Sequence, residues 1–184
     1  MKRTHIFILF IILAVAQIAI PAQMIFNRES ILESGTAYKF KTEPVDPSDP
    51  FKGKYIFLNY EVDRVKAEDK NWVRNQEVYI SIANDNLGFV RATSASLEVP
   101  KTGDFVKAKV DWYATDERTL QFSFQFNEFY MEESKAYNAE VAHRKAQRDS
   151  LPNNTYALIY VRDGEAVLNN VFINEIPIAT FVEE

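Results

Sequence analysis

The residues with the clearest chemical potential lie in one proline-rich segment. Ser48 is close in sequence to Lys52 and Lys54, and a lysine amine that meets a serine hydroxyl in space activates it as a nucleophile. Asp46 and Asp49 offer carboxylate oxygens, which cap turns or coordinate a hard cation. Because only closeness in sequence supports the Ser-Lys pair, we predict no catalytic role here and interpret the two aspartates as turn caps.

Other polar clusters give weaker indications. Asn84, Asp85 and Asn86 carry oxygen ligands, but the bidentate glutamate that completes a calcium loop does not follow them. His143 lies among charged residues, and the sequence has no His-x-x-x-His pair for zinc. It also has neither a Gly-rich phosphate loop nor a Gly-x-Ser-x-Gly elbow. The sequence therefore predicts no catalytic residue, no metal site and no cofactor.

Composition narrows the classes of function further. The 184 residues include no cysteine and carry a formal net charge of -5. Without cysteine the chain has no disulfide, no thiol nucleophile and no thiolate metal site. The acid excess lies after Arg28, because the residues before it include no acid. An acidic body of this kind argues against nucleic acid as a partner, since phosphates bind to a basic face.

Residues 6–26 are almost wholly apolar. At 1.5 Å per residue, a helix of this length covers about 30 Å, the thickness of a bilayer hydrocarbon core. Lys2 and Arg3 precede it and favour the cytoplasmic side. We therefore predict that residues 1–28 form a cytoplasmic tip and a single-pass anchor in the cytoplasmic membrane. Residues 29–184 would then form a periplasmic domain.

A cleaved signal peptide is the competing interpretation of this segment. Cleavage after Ala16 would fit the small-x-small pattern, but it would leave a short apolar core and an apolar new N-terminus. Cleavage after Ala22 gives a better length, with Ile20 and Pro21 at unfavourable positions. A retained anchor is the favoured prediction.

The body shows the alternation of apolar and polar residues that is typical of half-buried strands. It is clearest in residues 78–82, 106–112 and 120–126, and it places Trp112 on the same face as Val110. Short polar turns separate these runs, so we predict consecutive antiparallel hairpins. These turns are residues 84–88, 101–104, 115–117, 163–164 and 174–175. The run from Phe89 to Val99 is less regular, which predicts either a bulge or a strand with two similar faces.

Residues 131–149 break this pattern, because they are rich in helix-forming side chains. We predict one surface helix there. The fold class is mainly β: an antiparallel sandwich or barrel-like body with this helix and the N-terminal transmembrane helix. Two small β subdomains, about residues 29–130 and 150–184, joined by the helix are the alternative to one compact body.

One segment of the body has an unusual pattern. Three prolines and two Asp-Pro steps stiffen residues 44–50, and a strand with alternating faces begins at Tyr55. Here the chain resembles a bacterial protein family with the consensus Gly-Asp-Tyr-x-x-Leu-x-Tyr. The matching residues are Pro44, Asp46, Pro47, Asp49 and Pro50 in the lead-in, and Gly53, Tyr55, Leu58 and Tyr60 in the motif. Lys54 departs from the consensus, which has Asp at this position.

The resemblance implies a membrane-anchored protein that works beside a multi-pass membrane partner, and it implies no established reaction. Our first hypothesis is a non-enzymatic accessory subunit whose helix contacts that partner through Ala14, Ala16 and Ala19. An extracytoplasmic hydrolase of Ser-Lys or carboxylate type is the alternative. A further alternative is a binding module for a small ligand or envelope polymer, which requires a pocket lined by aromatic residues such as Trp72 and Trp112.

Overall fold

The computed structural model describes residues 3–43, 55–69, 71–130 and 155–181. These residues form one long helix, twelve strands and one short helix. The elements are α1 Arg3–Ser34, β1 Thr36–Glu43, β2 Tyr55–Phe57, β3 Asn59–Tyr60, β4 Arg64–Lys66, β5 Glu77–Asn84, β6 Val90–Ser96, β7 Phe105–Ala114, β8 Thr119–Phe124, β9 Glu128–Tyr130, β10 Thr155–Arg162, β11 Glu165–Ile173, β12 Ile176–Pro177 and α2 Ile178–Phe181. The predicted helix at 131–149 lies outside the described residues.

Two five-stranded antiparallel sheets make up most of the body. Their strand orders are β12-β11-β10-β1-β3 and β4-β8-β7-β5-β6, and β2 pairs with β9 beside them. Buried side chains from both sheets, such as Phe40, Ile80 and Ile173, form one hydrophobic cluster. Isolated bridges join Lys39 to Phe89 and Val106 to Gly164. This arrangement confirms the predicted antiparallel sandwich or barrel-like body.

Most predicted turns connect neighbouring strands, but the turn at residues 101–104 does not. It lies between β6 and β7, and β7 pairs with β5 instead of β6. The expectation of a hairpin here was therefore wrong. The connection runs from residue 97 to residue 104, which exceeds the usual two to five or so residues of a hairpin loop. It is long enough to carry the chain to the free edge of β5.

Two bulges change which side chains face the core. The bulge expected in the run from Phe89 to Val99 is confirmed at Thr93, which lies between the register pairs Ser81–Ser94 and Ile82–Ala92. A second bulge lies in β7 between Val110 and Trp112. It moves Trp112 to the solvent side, where 56% of its surface is exposed. The prediction that Trp112 shares the face of Val110 was wrong, because one extra residue reverses the alternation.

The two C-terminal turns adopt left-handed backbone conformations. Asp163 and Gly164 have φ angles of 53° and 82°, as expected for a two-residue hairpin turn. Asn174 and Glu175 also have positive φ angles, 50° and 67°. Glu175 accepts a hydrogen bond of 2.7 Å from the Tyr156 hydroxyl. This bond is the largest of the effects that lower the pKa of the Glu175 carboxyl.

Helix α1 extends beyond the apolar segment and reaches the body. Its 32 residues correspond to about 48 Å at 1.5 Å per residue. Its length and apolar composition suffice for it to cross a membrane. Pro21 lies inside the helix. The last turns bring Ile31 into a buried position against the body, so the helix continues from the apolar segment directly into the folded domain.

Candidate functional site

Residues 55–60, which include β2 and β3, are called the motif strand here. Alternate side chains of this strand point into the core. Leu58 and Tyr60 are buried, whereas Phe57 and Asn59 are exposed. The Tyr60 hydroxyl donates a hydrogen bond of 2.7 Å to the backbone carbonyl of Phe126. Burial raises the pKa of the Tyr60 phenol. Tyr60 therefore has both a packing and a hydrogen-bonding role in the interior.

Aromatic rings surround Tyr60. The Phe40 ring lies 5.6 Å from the Tyr60 ring and 5.5 Å from the Phe124 ring, edge to face. Phe124 stacks on Phe126 at 4.8 Å. Each such pair contributes about 0.5–1.5 kcal/mol beyond the burial of its area. The last tyrosine of the motif therefore lies at the centre of an aromatic cluster that links the two sheets.

The motif strand changes partner in its middle. Residues 55–57 pair with β9, with Tyr55 opposite Tyr130, and residues 59–60 pair with β1. At the switch, the Leu58 amide donates to the carbonyl of Asn127 at 2.7 Å. The lead-in Pro44, Asp46, Pro47, Asp49 and Pro50 lies outside the described residues, as do Gly53, Ser48, Lys52 and Lys54. The described part of the motif therefore pairs with β9 in its first half and with β1 in its second half.

A cleft of about 320 Å³ opens beside this strand, and we call it the motif cleft. Its lining is mostly polar and comes from the motif strand, β7, β8 and the segments that follow β3 and β8. The lining residues are Phe57, Leu58, Asn59, Tyr60, Val62, Asp63, Asp111, Gln121, Phe122, Ser123, Phe124 and Asn127. Asp111, the bulged residue of β7, is part of this lining.

Hydrogen bonds hold the polar side chains of the motif cleft in place. The Ser123 hydroxyl donates to Asp111 Oδ1 at 3.1 Å. Gln121 Nε2 donates to Asp63 Oδ2 at 3.2 Å, and Arg64 forms an ion pair with Asp63. These fixed carboxylate, amide and hydroxyl groups can bind a polar ligand through several hydrogen bonds.

Trp112 lies at the edge of this network. Its indole Nε1 donates a hydrogen bond to Oε1 of Gln121, its register partner on β8. The exposed indole ring is thereby fixed beside the motif cleft without lining it. Trp72 packs against the core and donates to the carbonyl of Glu68 at 2.9 Å. Neither of the two tryptophans singled out from the sequence lines a described cleft.

A clamp of hydrogen bonds joins α1 to the body. Arg162, at the end of β10, donates from Nη1 to the carbonyl of Ser30 at 3.0 Å and from Nη2 to the Ser30 hydroxyl at 2.8 Å. Nη1 also donates to the hydroxyl of Ser34. The last turn of α1 has no basic residue of its own. Arg162 therefore supplies the positive charge that favours a helix C-terminus, and it does so from the sheet.

Gly35 lies between the end of α1 and the start of β1, and we call this contact between the helix and the body the junction. Its amide donates to the carbonyl of Ile31 at 2.8 Å. A Cβ atom at position 35 would lie 2.5 Å from that oxygen and 3.1 Å from the carbonyl oxygen of Val161. Only glycine allows the helix end and the sheet to approach this closely without displacement.

A second cleft, of about 670 Å³, adjoins the junction, and we call it the junction cleft. Arg28 of α1 lines it, together with residues of β7, β9 and β11 such as Phe129 and Leu168. At its edge Lys107 and Glu165 form an ion pair of 2.5 Å, and this hydrogen bond raises the pKa of Lys107. The cleft thus combines apolar and charged groups close to the end of the apolar segment.

Asp85, which the sequence placed in a polar turn, has a structural role there. Asp85 caps its turn, because its Oδ1 accepts hydrogen bonds from the amides of Leu87 and Phe89. Lys109 and Ser123 are register partners, yet Lys109 lines the junction cleft and Ser123 the motif cleft. Among residues 3–43, 55–69, 71–130 and 155–181, no group of three acidic, histidine or cysteine side chains is arranged to hold a metal ion.

Sequence reasoning missed Asp111, Gln121 and Arg162. The polar residues of the motif cleft lie on separate strands, and no local spacing connects them. Arg162 precedes the Asp163-Gly164 turn, where a charged residue is ordinary. Asp111 gave no separate signal either, because it continues the regular alternation of residues 106–112.

The fold and the junction define a class of protein: an antiparallel β body joined to one N-terminal helix that is long and apolar enough to cross a membrane. The model of a family described as GDYXXLXY protein matches residues 17–171. The chain therefore belongs to this family, as the motif predicted. No curated protein and no solved structure matches the chain.

Proposed function

We propose that this chain is a single-pass protein of the cytoplasmic membrane that serves as a non-enzymatic accessory subunit of a multi-pass membrane protein. Residues 29–184 form its periplasmic domain. The observation that carries the proposal is the junction: α1 leaves the apolar segment as an unbroken helix and ends in the hydrogen bonds of Arg162. Such a joint holds the body in a fixed orientation above the membrane.

The exposed apolar surface of the helix supports its retention in the mature protein. Ile18, Ile20, Ile25 and Phe26 are each more than 60% exposed. All four residues follow Ala16 in the sequence, and Ile25 and Phe26 also follow Ala22. Cleavage at either position would leave apolar side chains in water at a cost of about 25 cal/mol per Å². In a bilayer the same side chains face lipid or a neighbouring helix.

The partner contact has two parts. Within the bilayer, Ala16 and Ala19 lie within about 60° of each other around the axis of α1, whereas Ala14 lies on the opposite face. The face with Ala16 and Ala19 allows another helix to approach closely, since association in lipid depends on tight packing and not on hydrophobic burial. Above the bilayer, the body presents its surfaces at an angle set by the junction. Because one continuous helix connects both parts, the two contacts act together.

Helix phasing tests the rigid connection. Two alanines inserted after Phe26 rotate the body by about 200° and raise it by about 3 Å, whereas four rotate it by about 400° and raise it by about 6 Å. Four alanines therefore nearly restore the orientation. We expect the four-residue insertion to retain crosslinking to the partner and the two-residue insertion to lose it. The opposite order would contradict a fixed orientation.

Crosslinking followed by affinity purification from native membranes tests the partner itself. We expect a multi-pass protein to be recovered with the full chain and lost on substitution of the helix alanines by leucine. Ile12→Leu provides a matched control, because it leaves the small residues unchanged. Recovery of the free chain alone would contradict the accessory role.

Single-cysteine labelling tests the orientation, because the chain has no cysteine of its own. Leu87, which is 81% exposed in the body, is replaced by cysteine and compared with Thr4→Cys near the N-terminus. A membrane-impermeant maleimide should label Leu87→Cys in cells with a permeabilised outer envelope and spare Thr4→Cys. Labelling of only Thr4→Cys would place the body in the cytoplasm.

A further inference from the structure

We propose that the motif cleft and Trp112 together bind a neutral saccharide, with the indole ring as the stacking surface and the cleft as the hydrogen-bonding surface. This site is independent of the partner contact proposed above. Its first support is the bulge in β7. Bulges often re-aim a side chain near a functional site, and this one turns Trp112 out to solvent beside a cleft whose lining includes the bulged residue Asp111.

Two exposed aromatic rings flank the cleft. Trp112 is 56% exposed and Phe57 is 43% exposed. Leaving large aromatic surfaces in water is unfavourable, and a regular β7 would have buried Trp112. The C–H face of a sugar ring is an apolar surface that such rings can cover. Since Gln121 fixes the indole through its Nε1, the stacking surface is oriented before a ligand arrives.

The cleft lining supplies the complementary polar chemistry. Asn59, Asp111, Ser123 and Asn127 offer amide, carboxylate and hydroxyl groups. Amides and carboxylates bind the adjacent hydroxyls of a sugar, because each presents more than one donor or acceptor. The Ser123–Asp111 bond already orients the carboxylate, and such preorganisation lowers the entropy lost on binding.

Size and charge select the ligand class. A volume of about 320 Å³ is at the lower end of small-molecule sites, which suits one or two sugar rings and excludes a folded partner. Asp111 lines the cleft, and the ion pair with Arg64 offsets the charge of Asp63, so an acidic sugar meets the like charge of Asp111. The site is therefore expected to bind neutral sugars in preference to uronates.

Titration of the full chain in detergent or nanodiscs tests the proposal. The probes are chitotetraose, maltotetraose and a tetrameric uronate, and binding is followed by calorimetry. We expect at least one neutral tetramer to bind, and the uronate to bind at least about tenfold more weakly. Trp112→Ala should weaken the neutral tetramer by about tenfold or more, because it removes the stacking surface.

Tyr130→Ala is the matched control, since Tyr130 is also an exposed aromatic residue but lines the junction cleft. It should leave saccharide affinity unchanged. Asp111→Asn keeps the shape of the cleft and should reduce the preference for neutral over acidic tetramers. Failure of every neutral tetramer to bind, or equal affinity of wild type and Trp112→Ala, would overturn the proposal.

Partner recovery and saccharide binding, measured together, distinguish the saccharide site from the accessory role. If Trp112→Ala abolishes recovery of the membrane partner and no tetramer binds the wild type, Trp112 belongs to the partner surface and the saccharide proposal is wrong. If the tetramers bind as expected and no partner is recovered, the saccharide site stands and the accessory role fails.

Discussion

Replacing Arg162 by methionine should loosen the attachment of α1 to the body without unfolding the body. The variant keeps most of the apolar stem of the side chain and removes the hydrogen bonds that Arg162 donates to Ser30 and Ser34. The core cluster of the two sheets does not include these residues. The effect is therefore expected to concentrate at the junction.

The free energy lost at the junction depends on how far these hydrogen bonds are exposed to solvent. A hydrogen bond from a charged donor contributes about 1.5–3 kcal/mol when protected from water. The Arg162 side chain is 39% exposed, so solvent screening reduces this value. We take a loss of about 1.5 kcal/mol for the junction as a whole. That corresponds to an increase of about tenfold in the fraction of molecules with α1 undocked.

Hydrogen exchange in nanodiscs measures this fraction through the amides of residues 31–35. We expect these amides to exchange about tenfold faster in Arg162→Met, while amides of β5 and β10 keep their protection. Arg91→Met is the matched control, because Arg91 is exposed on β6 and remote in sequence from the junction. Equal exchange at residues 31–35 in both variants would refute the clamp.

Three further variants or conditions test the body. Tyr60→Phe leaves the buried carbonyl of Phe126 without its 2.7 Å hydrogen bond, and denaturant unfolding should show a loss of about 1–3 kcal/mol; an unchanged midpoint would contradict this role. Gly164→Ala should cost more stability than Gly103→Ala. Both positions have positive φ angles, but a Cβ at 164 lies 2.5 Å from a phenylalanine ring and one at 103 contacts nothing within 4 Å; equal losses would show that the ring moves freely. Burial raises the pKa of Tyr38 to about 12 from 10.0, so the folded state holds this proton more tightly than the unfolded state. Stability should therefore fall as the pH rises from about 10 to 12, and the fall should be shallower in Tyr38→Phe.

The sequence predicted those parts of the fold that depend on local patterns. Alternating residues identified the strands, and Asp163-Gly164 identified its hairpin, because a two-residue turn requires positive φ angles that few residues adopt. The motif identified the family. The face of Trp112 and the pairing of β7 were predicted wrongly. The face of Trp112 depends on the bulge in β7, and the pairing of β7 depends on a choice between two sheet edges. Neither of these leaves a local pattern in the sequence.

The candidate sites were less predictable than the fold. The motif cleft joins residues from separate strands, and the junction pairs Arg162 with Ser30, more than a hundred positions away. Interactions at this separation depend on how the sheets pack. The Ser48 segment, for which the sequence predicted no catalytic role, lies outside the described residues.

The central claim is that the apolar helix remains part of the protein and holds the body at the membrane. Mass spectrometry of the protein purified from the membrane fraction tests it directly. We expect a chain that still contains residues 6–26 and that resists extraction by alkaline carbonate. A mature chain that begins near Gln17 or Gln23 and is recovered in the soluble fraction would contradict the account.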